Sequence, residues 1–236
     1  MQFDSPLIPG RLVQRYKRFL ADIIIENNKL ITAHTANTGS MTGCADPGQR
    51  VWVRNTANPN RKYPYSWELS ETPEGKLIGI HTAWANKLVA EAIESGVISE
   101  LEGYAVKRFE PPNPLGKGRF DLALSLQDGS ADCLVEVKNV TAMAGLTTAQ
   151  FPDAVSERGQ RHLADLIRLA EAGREAALVF CVQREDVDFV TAADEIDANY
   201  GRLLRQAMGA GVRVLAYGAC VSTKEVVLRR ALKLAL

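Results

Sequence analysis

The segment Gly118-Arg-Phe-Asp-Leu-Ala-Leu-Ser-Leu-Gln-Asp-Gly-Ser-Ala-Asp-Cys-Leu-Val-Glu-Val-Lys138 predicts a β-hairpin that organises the chain. Two strand-like runs flank Asp128-Gly129, the dipeptide most favoured in a two-residue type I′ turn. With this dipeptide as the loop, Asp121 lies directly opposite Glu136. Side chains alternate along a strand, so the other face is apolar. It carries Phe120, Leu122, Leu124, Cys133, Val135 and Val137.

The two facing carboxylates require an explanation. Their Cβ atoms lie about 4.5–5.5 Å apart in such a pair, and like charges so placed are destabilising. A divalent cation held by Asp121 and Glu136 would offset the repulsion, since Mg²⁺ takes one or two protein carboxylates. Lys138 lies two residues further along the same face and could position an attacking water. Alternatively, Arg119, predicted opposite Lys138, joins that lysine in neutralising the acids as a solvated salt-bridge face.

Composition excludes several classes of protein. The 236 residues are 46% hydrophobic and 24% charged, with zero formal net charge, so nucleic-acid binding requires a local basic patch. The four scattered cysteines suggest neither a zinc site nor a disulfide framework. The start of the chain lacks the features of a signal peptide, and the longest apolar runs, such as Ala176–Val182, are too short to span a membrane. We therefore expect a cytoplasmic protein with no membrane partner.

Residues 1–80 predict an all-β domain of about five strands, consistent with a small OB-like barrel. A long strand is predicted over Arg11–Ile25. Its basic residues include Arg15, Lys17 and Arg18, and Phe19 adds an aromatic ring. Such a surface suits nucleic acid, because cations contact phosphates and rings stack on bases. An edge strand protected by its charges is the alternative.

Two loops of this domain extend the candidate nucleic-acid surface. In the Asn37-Thr38-Gly39-Ser40 loop, the first two residues are candidate phosphate contacts, although an ordinary Asx or Ser/Thr turn explains the loop equally well. The Arg61-Lys62 pair stands beside Tyr63 in a turn and is the second basic candidate.

Residues 81–236 predict an α/β domain with a mixed sheet. A helix spans Thr82–Ser95, and three strands including the hairpin follow. Asp153 is the predicted N-cap of a second helix that Gly173 ends. An apolar strand at Ala176–Val182 fits the centre of a covered sheet. A third helix, Ala193–Ala210, and two terminal strands complete the order.

The second helix has a polar first part. Arg158 and Gln160 lie near its amino end, where the helix dipole favours a phosphate; a solvated face is the alternative. Gly159 is locally unfavourable within a helix, which suggests close approach by another part of the chain.

Asp121 followed by Glu136-Val-Lys138 resembles the PD-(D/E)xK nuclease superfamily, with Phe120 where the motif name has proline. Over nearly the whole chain the sequence resembles the sugar fermentation stimulation protein A family. The matching stretches are Pro9–Ala21, Asn37–Met41, Arg61–Tyr63, Arg119–Asp121, Glu136–Thr141, Phe151–Leu163 and Gly211-Val212.

The resemblance implies an N-terminal OB-like domain, a C-terminal nuclease-like domain, DNA binding without marked sequence specificity, and a link to regulation of maltose or other sugar catabolism. It further implies that Asp121, Glu136 and the Val137 carbonyl bind Mg²⁺ or Mn²⁺. The cation would polarise the phosphate and lower the pKa of the attacking water. Lys138 would be the catalytic lysine, with Glu110 as an outer carboxylate and Arg158 or Gln160 on the phosphate.

The alternative is a non-catalytic DNA-binding regulator that keeps the nuclease fold and its charges for binding alone. The intact set of two acids and a lysine favours an enzyme mildly, because paired acids facing a phosphate add nothing to binding. Neither the preferred substrate structure nor the oligomeric state follows from the sequence.

Overall fold

The N-terminal sheet closes on itself. A computed structural model describes residues 1–236. Its first six strands are β1 (Ile8–Tyr16), β2 (Leu20–Ile25), β3 (Lys29–His34), β4 (Arg50–Asn55), β5 (Tyr65–Glu71) and β6 (Leu77–Gly79). They are ordered β3-β2-β1-β4-β5-β6, and β3 also pairs with β5, which closes five strands into a barrel. The predicted OB-like barrel is confirmed.

The predicted long strand over Arg11–Ile25 is wrong, because a tight turn divides it into β1 and β2. Tyr16 pairs with Leu20, so the chain reverses within three residues. Lys17 and Arg18 adopt positive φ values of 50° and 65° in that turn. The Arg15 guanidinium donates to the Arg18 carbonyl at 2.6 Å and helps to hold the turn. No glycine or asparagine marks this reversal in the sequence.

The rest of the chain forms a mixed sheet with three α-helices. Its elements are α1 (Ala85–Glu94), β7 (Tyr104–Phe109), β8 (Leu122–Leu126), β9 (Asp132–Val140), β10 (Thr148–Phe151), α2 (Glu157–Glu171), β11 (Glu175–Val182), β12 (Phe189–Ala192), α3 (Ala198–Gly209), β13 (Arg213–Val221), β14 (Val226–Ala231) and β15 (Lys233–Leu234). The main sheet has the order β14-β13-β11-β9-β8-β7, and a small sheet has the order β10-β12-β15. Strands β9, β11 and β13 are parallel, whereas β7, β8 and β14 are antiparallel to their neighbours.

Helices cover both faces of the main sheet. Helix α1 contributes to a core of 25 buried residues on one face. Helices α2 and α3 contribute to a core of 22 buried residues on the other. The central strand β11 is therefore buried on both sides, as its continuous apolar run predicts. None of the helices is long and apolar enough to cross a membrane.

The predicted hairpin register is confirmed within the strands. Leu122 pairs with Val135 and Leu124 with Cys133. The predicted type I′ turn is wrong: Gly129 has a positive φ but Asp128 does not, and the Leu126 N–H donates to the Ala131 carbonyl across a longer turn.

The regular pairing of β8 with β9 does not extend to Asp121. As a result, two further predictions made from the hairpin register are wrong. Phe120 does not share the apolar face of Leu122, because it packs in the core beneath α2 and α3. Arg119 does not lie opposite Lys138; it lies on the exposed loop before the hairpin, 3.4 Å from Glu110.

Helix α2 begins later than predicted, and its cap is Ser156 rather than Asp153. The Ser156 hydroxyl accepts a hydrogen bond from the Gly159 N–H at 3.0 Å. Gly159 is required there because a Cβ would lie 2.8 Å from the Ser156 Oγ and 3.1 Å from the Tyr200 ring. The third helix also starts later than predicted, at Ala198, where Asp197 is the cap.

The barrel and the α/β part are joined directly. The Gly79 N–H donates to the Gln183 carbonyl at 2.9 Å. Arg184 forms a β-bridge with Ile78, and the Thr82 hydroxyl donates to the Ala36 carbonyl at 3.0 Å. Because these bonds include main-chain groups of both parts, they fix the position of the barrel beside the sheet.

We predict that Gly159→Ala destabilises the protein, although alanine favours a helix by about 1 kcal/mol over glycine. The added methyl group would displace the capping hydroxyl or the buried Tyr200 ring, and such overpacking costs about 1–3 kcal/mol. Denaturant unfolding measures the change in unfolding free energy.

Gly209→Ala is the matched control, because no atom lies within 4 Å of the added Cβ in α3. We expect its unfolding free energy to stay unchanged or to rise by up to about 1 kcal/mol. Equal effects of the two substitutions would contradict the packing argument for Gly159.

Candidate active site

Asp121 lies just before β8 and is held by two hydrogen bonds. One carboxylate oxygen accepts from the Val137 N–H of β9 at 2.7 Å. The other accepts from the Asn86 side chain of α1 at 2.9 Å. The end of the regular ladder at Asp121 leaves the Val137 N–H free to bond its carboxylate. Backbone geometry and a helix thus fix the orientation of this acid.

Glu136 lies in β9 and is 3% exposed. Its Oε1 accepts from the Lys138 Nζ at 2.6 Å and contacts Nδ1 of His162 on α2. Its Oε2 is buried and has no hydrogen-bond partner. Leaving a buried acceptor unpaired costs about 1–3 kcal/mol, so this oxygen indicates a place for a further ligand.

Burial and the neighbouring charges shift the two acids in opposite directions. Burial, together with repulsion from Glu136, raises the pKa of Asp121. Burial also opposes ionisation of Glu136, but hydrogen bonds from His162 and Lys138 outweigh it and hold the pKa of Glu136 below its ordinary value. A cation beside the two acids would relieve the repulsion that Asp121 experiences.

The oxygen atoms available here fit a hard divalent cation. Asp121, Glu136 and the Val137 carbonyl are the candidate ligands. The N–H and C=O of one residue point to the same side of a strand, so the Val137 carbonyl shares the edge that its N–H uses toward Asp121. The chain has no cluster of three or more acidic, histidine or cysteine side chains placed to bind a metal. Mg²⁺ tolerates such a sparse set because it retains several waters.

Asp121, Val137 and Lys138 line a cleft of about 590 Å³ between the barrel and the α/β part, whereas Glu136 is not among the lining residues. Three cations line it: Arg18 from the barrel, Lys138 from β9 and Arg158 from α2. Asn37 and Thr38 also line it, so the structure brings part of the predicted nucleic-acid surface to the predicted metal site. We name this space the interdomain cleft.

Arg15 supports the 37–40 loop, which forms the barrel side of the interdomain cleft. Its guanidinium donates to the carbonyls of Asn37 and Gly39 at 3.0 and 2.9 Å. The Asn37 side chain accepts from the Gly39 N–H, which forms the Asx turn that the sequence offers as one alternative for this loop. Arg18 donates to the Thr38 carbonyl at 2.9 Å. Thus Arg15 shapes the loop, while Arg18 also faces the cleft.

Several predicted site residues lie outside the interdomain cleft. Glu110 is exposed beside Arg119. Gln160 donates to the Asp197 carboxylate at 2.8 Å. Its amide group is therefore engaged outside the cleft and is not placed for the phosphate contact that the sequence predicts. The others that do not line the cleft are Glu136 in β9, Arg15 in β1, Lys17 and Phe19 on the β1–β2 turn, and Arg61 and Lys62 in the loop between β4 and β5.

Sequence reasoning misses the roles of His162 and Asn86. The helical pattern places His162 in the apolar stripe of the second helix, and it is indeed buried there, but it contacts Glu136. Asn86 is one of several polar residues on the first helix, and the sequence does not distinguish it from the others. His162 is the one polar ring within an apolar stripe of the second helix, and this is the feature of the sequence that could have indicated its role.

Comparisons with known proteins identify relatives along the whole chain. The model described as the SfsA N-terminal OB domain matches residues 13–80. The model described as the sugar fermentation stimulation protein RE domain matches residues 83–225. Proteins described as sugar fermentation stimulation protein homologs from Thioalkalivibrio sulfidiphilus and Alkalilimnicola ehrlichii are each 51% identical to it. The first alignment covers 98% of this chain and 97% of the relative, and the second covers 98% of both.

A solved structure extends the likeness to the fold. The Pyrococcus furiosus SfsA structure, described as a complex with Ca²⁺, matches with a TM-score of 0.89 and 29% identity. The match covers 100% of this chain and 98% of that one. The chain belongs to the sugar fermentation stimulation protein family.

Proposed function

We propose that this protein binds DNA without marked sequence specificity and hydrolyses phosphodiester bonds at a Mg²⁺-dependent site. The observation that carries the proposal is the buried, unpartnered Oε2 of Glu136 beside a second, partly buried carboxylate, that of Asp121. The Ca²⁺ complex of the Pyrococcus furiosus relative supports a divalent cation in this fold. Such paired oxygens suit a cation better than a purely electrostatic contact with phosphate.

Each residue of the site has a distinct role in the proposal. Asp121, Glu136 and the Val137 carbonyl hold Mg²⁺ or Mn²⁺, which when bound polarises a phosphate and lowers the pKa of a water. Lys138 positions the attacking water or stabilises developing charge. His162 orients Glu136 by occupying Oε1, which leaves Oε2 free.

DNA binding depends on a local basic surface, because the chain has no net charge. Arg18 and Arg158 contact phosphates at the interdomain cleft, together with the Asn37-Thr38 loop. The turn residues Lys17 and Phe19 and the Arg61-Lys62 pair extend this surface over the barrel. Contacts to phosphates position the nucleic acid but do not read its sequence.

A non-catalytic DNA-binding regulator of sugar catabolism, including maltose use, is the second candidate. One observation favours it: Lys138 and His162 both contact Oε1 of Glu136, so this acid has partners without a cation. The names of the relatives refer to sugar fermentation. Metal titration separates the two candidates, because only the enzyme requires a cation at the paired acids.

We also propose a cytoplasmic location. All four cysteines are free thiols, and three of them are buried. Burial raises the pKa of Cys133 and Cys181 to about 12, which keeps them protonated. Free thiols are typical of proteins in a reducing compartment.

We predict that wild type binds one Mn²⁺ or Mg²⁺ in a calorimetric titration and that Asp121→Asn weakens this affinity by at least about tenfold. Asparagine keeps an acceptor for the Val137 N–H but removes the charge that attracts the cation. Asp132→Asn is the matched control, because Asp132 is an exposed acid at the far end of β9. Equal affinities in both variants would contradict the site.

We predict that Asp121→Ala and Lys138→Ala each abolish metal-dependent cleavage of labelled DNA and leave DNA affinity largely intact. Lys138→Ala should still bind the cation, because the lysine is not among the proposed ligands. Cleavage at the wild-type rate by either variant would remove that residue from the catalytic machinery.

We predict that replacing both Lys17 and Arg18 by alanine flattens the dependence of DNA affinity on salt concentration. The logarithmic slope falls by about 0.7–0.9 for each phosphate that the variant no longer neutralises. The adjacent pair Lys107-Arg108 on the exposed edge strand β7 is the matched control. Fluorescence anisotropy over a salt series measures the slopes, and an unchanged slope in the Lys17/Arg18 variant would exclude the turn from the interface.

A further inference from the structure

The interdomain cleft has walls that are tied together. The Asp153 carboxylate, on the α/β side, accepts hydrogen bonds from the Ser40 N–H at 2.8 Å and from the Ser40 hydroxyl at 3.2 Å. The two sides meet so closely that a Cβ on Gly39 would lie 2.3 Å from the Asp153 oxygen. The cleft is therefore closed along the side where these residues meet.

The barrel wall is held at further points. Arg15 donates to three carbonyls of the loop, those of Asn37, Gly39 and Ser40. Thr82, from the α/β part, donates to the Ala36 carbonyl at 3.0 Å. Widening the cleft would break the Thr82–Ala36 bond together with the Asp153 contacts, whereas the Arg15 bonds lie within the barrel and hold the loop in place. These contacts fix the separation of the two sides of the cleft where they meet.

Two of the proposed reactive groups, Asp121 and Lys138, line this space, and the Lys138 side chain is 13% exposed. Glu136 is 3% exposed and is not part of the lining, but it accepts a hydrogen bond from Lys138. A phosphate must enter the cleft to meet them. A volume of about 590 Å³ matches a site for one small-molecule ligand. In a duplex each backbone is backed by stacked base pairs and by a second backbone across a major groove about 12 Å wide, so only its outer edge could approach this space, whereas one unpaired nucleotide chain can lie within it.

The aromatic groups around the cleft point to unpaired bases. Phe151 is the single aromatic residue of the lining, and its ring packs on Phe180 and Tyr200 in the core. Phe19 lies just outside, directly after the cleft-lining Arg18, and is 43% exposed on the β1–β2 turn. A ring so placed can stack on a base only if that base is unpaired and accessible.

We infer that the substrate of this site is a single-stranded polynucleotide segment: its backbone enters the interdomain cleft, and a base that leaves past Arg18 stacks on Phe19. This inference rests on the proposed function and specifies its substrate class. Arg18 and Arg158 hold phosphates within the cleft, and Phe19 holds a base outside it. Duplex DNA is bound only along the outer basic surface.

Anisotropy with fluorescein-labelled DNA tests the inference in Ca²⁺, at one ionic strength, with the full-length protein. The probes are a 12-nucleotide single strand and a blunt 12-base-pair hairpin duplex. We expect the single strand to bind at least about tenfold more tightly. Phe19→Ala should weaken single-strand binding by about fivefold or more and duplex binding by less than about twofold, because a base stacked within a duplex offers the ring no free face.

Phe109→Ala is the matched control, because Phe109 is a similarly exposed ring, at 49%, on the edge strand β7. We expect it to bind both probes as wild type does. Equal or tighter binding of the duplex, or equal effects of Phe19→Ala and Phe109→Ala on the single strand, would overturn the inference.

A Ca²⁺ titration of Asp121→Asn keeps the two proposals separate. If the variant loses Ca²⁺ binding while wild type shows no single-strand preference, the metal site stands and only the substrate class is wrong. If the variant binds Ca²⁺ as wild type does, the proposed metal site is wrong, and the strand comparison still decides which nucleic acid the cleft takes.

Discussion

Two neighbouring carboxylates, one buried in β9 and one partly buried just before β8, form the constraint on which the site depends. Asp121 and Glu136 repel each other, and burial disfavours the charge of both. Each is therefore surrounded by donors: Asn86 and the Val137 N–H for Asp121, Lys138 and His162 for Glu136. One oxygen, Oε2 of Glu136, still has no partner. The proposed cation site rests on this one unpartnered oxygen in an otherwise well-supported pair of acids.

The architecture supplies these donors from separate elements. Helix α1 covers one face of the sheet and brings Asn86, whereas α2 covers the other face and brings His162. The barrel adds the third side by placing Arg18 against the same space. Main-chain hydrogen bonds between the two parts keep it there. The mixed sheet and the barrel thus adjoin the same cleft at their junction.

The sequence predicts the features that depend on local patterns. Alternation across Asp128-Gly129 yields the correct register of β8 and β9, and the continuous apolar run of β11 indicates a covered central strand. The barrel and the mixed sheet follow from the order of strands and helices, and the family from the matching stretches.

The wrong predictions arise where a distant partner decides the structure. Asp121 bonds the Val137 N–H and interrupts the ladder, so Phe120 moves to the opposite core. Asp153 bonds Ser40 of the barrel instead of capping α2. The contact between His162 and Glu136 could not be predicted from the sequence for the same reason, because it forms only when α2 packs against the sheet.

Anomalous diffraction from a crystal soaked in Mn²⁺ tests the proposed cation site, because it locates the cation without relying on turnover. We expect an anomalous peak within about 2.5 Å of Oε2 of Glu136 and of an Asp121 carboxylate oxygen. A crystal with a peak elsewhere, or with a well-ordered site and no peak between these acids, would contradict it. In that case the pairing of Glu136 with Lys138 and His162 would be the complete explanation of the buried charges.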